Sequence, residues 1–114
     1  MSLSAERSAK NEARFREANE ELERARIELL GDGDDKATPF LCECDQMRCT
    51  AVVLLTLNEY EIARGSRRRF VICPEHVTDN AEVVARRDTF WLVEKQGEAG
   101  RVAEAEADER TRAR

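Results

Sequence analysis

The sequence predicts a small α+β fold: an antiparallel or mixed sheet with one or two short helices, stapled by zinc and preceded by a long N-terminal helix. Three observations carry this prediction. Apolar residues concentrate between about Thr38 and Lys95, in short β-branched and aromatic runs separated by polar turns. Residues 4–30 follow a helical pattern instead. Three cysteines, Cys42, Cys44 and Cys49, lie close together, and the chain's only histidine, His76, sits three positions after a fourth, Cys73.

Length sets the frame. A chain of 114 residues makes at most one domain, and charged residues take 38% of it. The compact part, about 60 residues, buries too little apolar surface to be stable without a staple or a partner. The expected organisation is a charged helix and acidic linker over residues 1–36, a metal-binding α+β unit over 37–95, and a charged, disordered tail over 96–114.

The elements follow in order. In the first helix, acidic and basic residues pair at i,i+4: Glu6 with Lys10, Glu12 with Arg16, Glu20 with Arg24. Phe15, Ala18, Leu22, Ala25 and Leu29 share a 3-4-3-4 spacing and fall on one stripe. That stripe is expected to dock on the chain's own core, with a dimer seam or a partner-binding arm as the other uses. Gly31 to Asp35 reads as an acidic turn or linker. Pro39-Phe40-Leu41 reads as a short strand leading into the cysteines, and Ala51 to Leu55 as a buried strand. Thr56 and Glu59 form a capping box, with Leu55 and Tyr60 as a hydrophobic staple, so a helix is expected from Leu57 to Arg64, ending at Gly65. Phe70-Val71-Ile72 is a third strand. Asp79 and Glu82 fit a capped helical turn, or Glu82 to Ala85 a strand. Thr89 to Val93 closes the unit as a strand, with Phe90 or Trp91 facing outward if the segment alternates. The tail from Gln96 to Arg114 carries almost no large apolar residue and is expected as frayed helix or disorder.

Charge and hydropathy exclude some classes. The net charge of −5 is spread along the chain, so broad electrostatic capture of nucleic acid is not favoured. No stretch has the apolar length of a transmembrane helix or a secretory leader. The expectation is a cytoplasmic protein with no membrane role. In a reducing compartment cysteines serve as metal ligands or redox thiols more often than as structural disulfides.

The cysteines and histidine carry the chemistry. Zinc takes four sulfur or nitrogen ligands in a tetrahedron. Cys42 and Cys44, at i and i+2 on an extended segment, point the same way. Cys49 follows a polar turn, and Cys73 and His76 flank a proline turn after a strand. Two ligand sets satisfy the spacing: Cys42, Cys44, Cys49 and His76, or Cys44, Cys49, Cys73 and His76. The remaining cysteine is a buried thiol, a neighbour of the site or a redox partner. An iron–sulfur cluster on the four cysteines fits the spacing less well. Glu75 or Glu43 is the residue a catalytic zinc would use as a base. Five candidate ligands crowded together favour a closed, structural site, and the expectation is that the protein is not an enzyme.

The segments Phe40-Leu41-Cys42-Glu43-Cys44, Cys49-Thr50, Leu55-Thr56-Leu57-Asn58-Glu59-Tyr60-Glu61, Arg69-Phe70-Val71 and His76 together resemble a group of small bacterial proteins, mostly actinobacterial. Their pattern runs F-x-C-x-C, C-T, L-T-x-x-E-Y-E, R-F and a proline-led turn ending in histidine. The resemblance spans about residues 38–95 and adds a charged N-terminal helix. It implies Cys42, Cys44, Cys49 and His76 as the ligands, with Cys73 additional and Glu75 standing where the pattern has glycine. It brings no activity with it.

Arg64, Arg67, Arg68 and Arg69 make a local basic run. As a functional feature it would contact an anion or nucleic acid; as a structural one it is balanced by acidic neighbours. Three functional readings follow. The first is a zinc-binding interaction or regulatory module that meets a protein partner, or a second copy of itself, through the N-terminal helix. The second is a thiol-based redox sensor built on the same cysteines. The third is a zinc-stapled nucleic-acid binder using the Arg64–Arg69 loop.

Overall fold

In the structure, a computed structural model describing residues 3–30, 36–44, 46, 48–77 and 80–113, the helical pattern at the N-terminus becomes α1 (Leu3–Leu30). The remaining elements are β1 (Thr38–Leu41), β2 (Val52–Leu55), α2 (Leu57–Arg64), β3 (Arg69–Ile72), β4 (Ala81–Arg86), β5 (Trp91–Lys95) and α3 (Gly97–Ala113). The expected linker at Gly31 to Asp35 and the expected cap at Asp79 lie outside the described residues.

This is the expected α+β layout. β1 and β2 form an antiparallel pair in which Phe40 faces Val53. β3, β5 and β4 form an antiparallel sheet in that order, with Phe70 opposite Val93 and a bulge between Val83 and Ala85. The two sheets are joined just beyond β1, where Glu43 N–H donates to the Val71 carbonyl at 2.7 Å.

α2 begins where its cap dictates. Thr56 Oγ1 accepts from Glu59 N–H at 3.0 Å, and Glu59 Oε1 accepts from Thr56 N–H at 2.8 Å. The two bonds satisfy two of the helix's otherwise orphaned donors. Leu55 and Tyr60 are both buried. Glu82 to Ala85 resolves to a strand rather than a capped turn. Phe90 is buried in the core, and Trp91 is half-buried with the Arg86 guanidinium 5.0 Å from its ring centroid.

The core has two parts. Phe40, Val53, Leu55, Leu57, Tyr60, Ala63, Val71 and Phe90 pack as one cluster, with the Phe40 and Tyr60 rings stacked at 4.4 Å. Cys42, Cys44, Phe70, Ile72, Val93 and Ala103 make the second.

Two expectations about the flanking helices are revised. The stripe on α1 does not dock on the core: Phe15, Ala18 and Leu22 are half-buried, Ala25 is exposed, and Leu29 is 83% exposed. Alongside buried Ala13, and Ile27 packed against the first core cluster, the docked face is mostly polar, with Glu12, Arg16, Asn19, Glu20 and Glu23 all buried. Each has a partner from another element or a neighbouring turn. Lys95 Nζ sits 3.0 Å from Glu12, with both side chains nearly inaccessible. The Arg16 guanidinium donates to the carbonyls of Arg64 and Ser66, each at 2.9 Å, and to that of Arg69, while its charge lies over the Phe70 ring. Paired and hydrogen-bonded charge can be buried, and hydrophobic spacing alone does not register such partners.

The tail, expected as frayed helix or disorder, is a helix, α3, that packs on α1 and β5. Ala99, Ala103 and Ala107 recur every four residues and are buried. Their small side chains let two helices approach closely, so α3 buries a face without large apolar residues. Gly100 lies instead against the loop after α2 and the end of β5, where a Cβ would come within 2.6 Å of Arg68 Nη1 and 2.9 Å of the Lys95 carbonyl.

Candidate metal centre

The antiparallel pairing of β1 with β2 continues one step past β1, with Cys42 N–H donating to the Ala51 carbonyl at 3.1 Å. Together with the Glu43–Val71 bond, this holds residues 42–44 extended. Side chains alternate on such a segment, so Cys42 and Cys44 share a side and Glu43 takes the other. Both cysteines are buried. Cys49 is brought back by a turn in which its N–H donates to the Gln46 carbonyl at 3.0 Å.

His76 arrives from the far side on a tight turn after β3. Its N–H donates to the Cys73 carbonyl at 3.0 Å. Pro74 occupies the second position, and Glu75 occupies the third with φ of 73°. A positive φ there defines the type II form, which favours glycine. Glu75 holds this left-handed conformation with a full side chain.

The four side chains converge. The sulfurs of Cys42, Cys44 and Cys49 and a ring nitrogen of His76 all lie within 4.8 Å of one another. Nδ1 of His76 is 3.7 Å from Cys42 Sγ and 3.8 Å from Cys49 Sγ. Ligand lengths of 2.0–2.3 Å in a zinc tetrahedron imply edges of about 3.6 Å. The two His76 edges match such a tetrahedron, and the donor set is compatible with a four-coordinate ion such as zinc. Cys73 is not part of the cluster. Its backbone serves instead, since Cys73 N–H donates to Cys42 Sγ at 3.1 Å.

Electrostatics agree with a cation at the centre. Burial pushes the Cys42 thiol well above its ordinary value, partly opposed by the Cys73 N–H and reinforced by the neighbouring Cys44 and Cys49 sulfurs. Burial also raises Cys44. Three crowded sulfurs resist ionising on their own, and a bound divalent cation reverses that preference.

Glu43, considered above as a base, does not join the ligand cluster. It is 1% exposed and is a hub for three elements. Glu43 Oε2 accepts from Tyr60 O–H at 2.6 Å and from Asn19 Nδ2 at 2.9 Å, and Oε1 accepts from Val71 N–H at 2.9 Å. Burial pushes its carboxyl above the usual range, opposed first by the Arg16 charge and then by these hydrogen bonds. Glu75 is exposed and also lies outside the cluster. Sequence reasoning missed the roles of Asn19 and Glu43 as partners. The one signal available was a polar pair inside otherwise apolar or amphipathic runs.

The four arginines of the basic run are engaged within the chain. Arg64 faces Glu20, Glu23 and Glu61 at 3.3–3.6 Å. Arg67 pairs with Asp108, Arg68 with Glu104, and Arg69 with Glu94 at 3.1 Å. Arg67 and Arg68 tie the loop after α2 to α3, Arg69 spans β3 and β5, and Arg64 ties α2 to α1. No protein-family model, curated protein or solved structure matches the chain. Among the described residues no helix is long and apolar enough to cross a membrane.

Proposed function

We propose that this chain is a small zinc-binding interaction or regulatory module whose metal is structural, held by Cys42, Cys44, Cys49 and His76. The carrying observation is the convergence of three sulfurs and one imidazole nitrogen within 4.8 Å. Four protein ligands fill a zinc tetrahedron and leave no position for substrate, which favours binding over turnover. The site joins the segment after β1 to the turn after β3, across the seam between the two sheets. A metal there closes a core too small to be comfortable without it. A reducing cytoplasm suits such a site, because its thiols stay available to the metal.

The partner surface we favour is the stripe of α1 at its C-terminal end, where Ala25 is exposed and Leu29 is 83% exposed. Its 3-4-3-4 spacing is the one by which two like helices interdigitate, so a second copy of the chain is the occupant we favour. Light scattering reading a monomer would remove that part of the proposal.

Elemental analysis of the purified protein tests the metal. One zinc per chain is expected, retained by Cys73→Ser and lost from Cys42→Ser and His76→Ala. Iron, or metal that depends on Cys73, would overturn the ligand set. Zinc held by His76→Ala as firmly as by the unaltered protein would do the same.

A further inference from the structure

Residues 41–44 face two ways at once. On one side Cys42 and Cys44 present their sulfurs to the ligand cluster. On the other, α1 grips the same backbone through a single side chain. Asn19, fully buried, donates from Nδ2 to the Leu41 carbonyl at 2.8 Å and accepts from Leu41 N–H on Oδ1 at 2.8 Å. The same Nδ2 donates to Glu43 Oε2 at 2.9 Å. Asn19 therefore holds the residues immediately before and after Cys42, and Glu43 stands between the two cysteines.

We propose that metal binding and the docking of α1 are coupled through this segment, with Asn19 as a positioning residue for the metal centre. The inference rests on the reading of Cys42, Cys44, Cys49 and His76 as a zinc site. Two cysteines on one ion fix the extended backbone between them, and with it the place of the Glu43 carboxylate. That carboxylate is where Asn19 of α1, Tyr60 of α2 and Val71 N–H of β3 meet. In the other direction, a docked α1 fixes Leu41 and Glu43 and so sets the spacing of the sulfurs before the ion arrives. Preorganisation of this kind is what outer partners of metal ligands supply, and their removal typically weakens metal binding by about 10–100-fold. Coupling is reciprocal, so the factor by which docking tightens metal binding is the factor by which metal tightens docking.

The consequence is a metal-sensing helix. Loss of the ion by chelation loosens α1, because Asn19 ties that helix to the backbone between the ligands. α1 also carries the exposed Ala25 and Leu29, so their freedom is coupled to the state of the metal without any contact with it.

The experiment has two arms on the full chain. Competition with a chromophoric chelator measures zinc affinity for the unaltered protein and for Asn19→Ala. Amide hydrogen exchange of the unaltered protein, with zinc and after chelation, reads the opening of α1 residue by residue and needs no variant that has to fold. The coupling predicts zinc affinity at least about tenfold weaker in Asn19→Ala. It also predicts exchange around residues 16–23 that accelerates on chelation by a comparable factor. An affinity within twofold of the unaltered protein, with α1 exchange indifferent to chelation, overturns the coupling and leaves the metal centre standing. An unaltered protein that takes up no zinc overturns the centre itself, and the coupling with it. Thermal stability measured alongside separates positioning from general damage. A variant that melts earlier yet binds zinc as tightly shows a structural Asn19 only, which also counts against the proposal.

Discussion

Glu23 gives the sharpest test of how α1 is held. It is 3% exposed, on the α1 face that meets α2, and lines a cavity with Ile27, Leu57, Asn58 and Glu61. Around it stand Glu20 on its own helix and Glu61 and Arg64 on α2, while Arg16 reaches Glu20. Three carboxylates share two guanidiniums, so one proton makes the group neutral. Burial raises the Glu23 carboxyl from 4.5 to about 8, reinforced by its hydrogen bond to Glu61, and the Glu61 carboxyl is lowered first by accepting that same bond. Glu23 therefore carries the proton in the folded state. Because the folded form binds it more tightly than the unfolded form, stability falls as pH rises from about 4.5 to about 8 and levels off above. The displacement corresponds to a ceiling of about 5 kcal/mol. The opposite shift of Glu61 returns part of it, and pH 6 already lies within the window. About 2 kcal/mol is expected between pH 6 and pH 9. Glu23→Gln replaces the protonated carboxyl with a permanent donor to Glu61 and removes the titration. Urea unfolding at the two pH values, in saturating zinc, should show the unaltered protein losing about 2 kcal/mol more than the variant. Parallel pH profiles for the two proteins would refute the shared proton.

Two further predictions test the turn and the buried pair. Glu75→Gly should raise stability by about 0.5–1 kcal/mol, the left-handed strain relieved less the extra freedom of glycine when unfolded. The melting temperature should then rise by several degrees at unchanged zinc content, and a lower one would count against strain at that turn. Lys95→Met removes the ammonium that lies 3.0 Å from the buried Glu12 carboxylate and should cost about 3–5 kcal/mol in urea unfolding. Adding Glu12→Leu should restore part of that loss; a double variant no better than the single one would show that the two buried charges are not coupled.

Local chemistry wrote much of the fold into the sequence. The Thr56–Glu59 capping box set the start of α2, because both partners lie within one turn of chain. The strands were legible where apolar residues met turn residues at close range. The shared side of Cys42 and Cys44 was legible too, since i and i+2 on an extended segment point the same way whatever surrounds them, though spacing alone left two ligand sets open. What the sequence left open was decided at long range. Cys73 or Cys42 as ligand depended on which way the strand before the proline turn was rolled, and the structure uses the Cys73 backbone rather than its thiol.

The helices show the division most clearly. That residues 4–30 are helical follows from spacing alone, but which face docks does not. Glu12 is a core residue with Lys95 beside it, and Asn19 is one because Leu41 and Glu43 offer it matching bonds. Ala99, Ala103 and Ala107 look featureless in sequence and become an interface once α1 lies beside them. Periodicity reports how much apolar surface a segment has. A polar or small residue is buried at little cost only when its partner, distant in the chain, is brought within reach, and that is settled by tertiary structure alone.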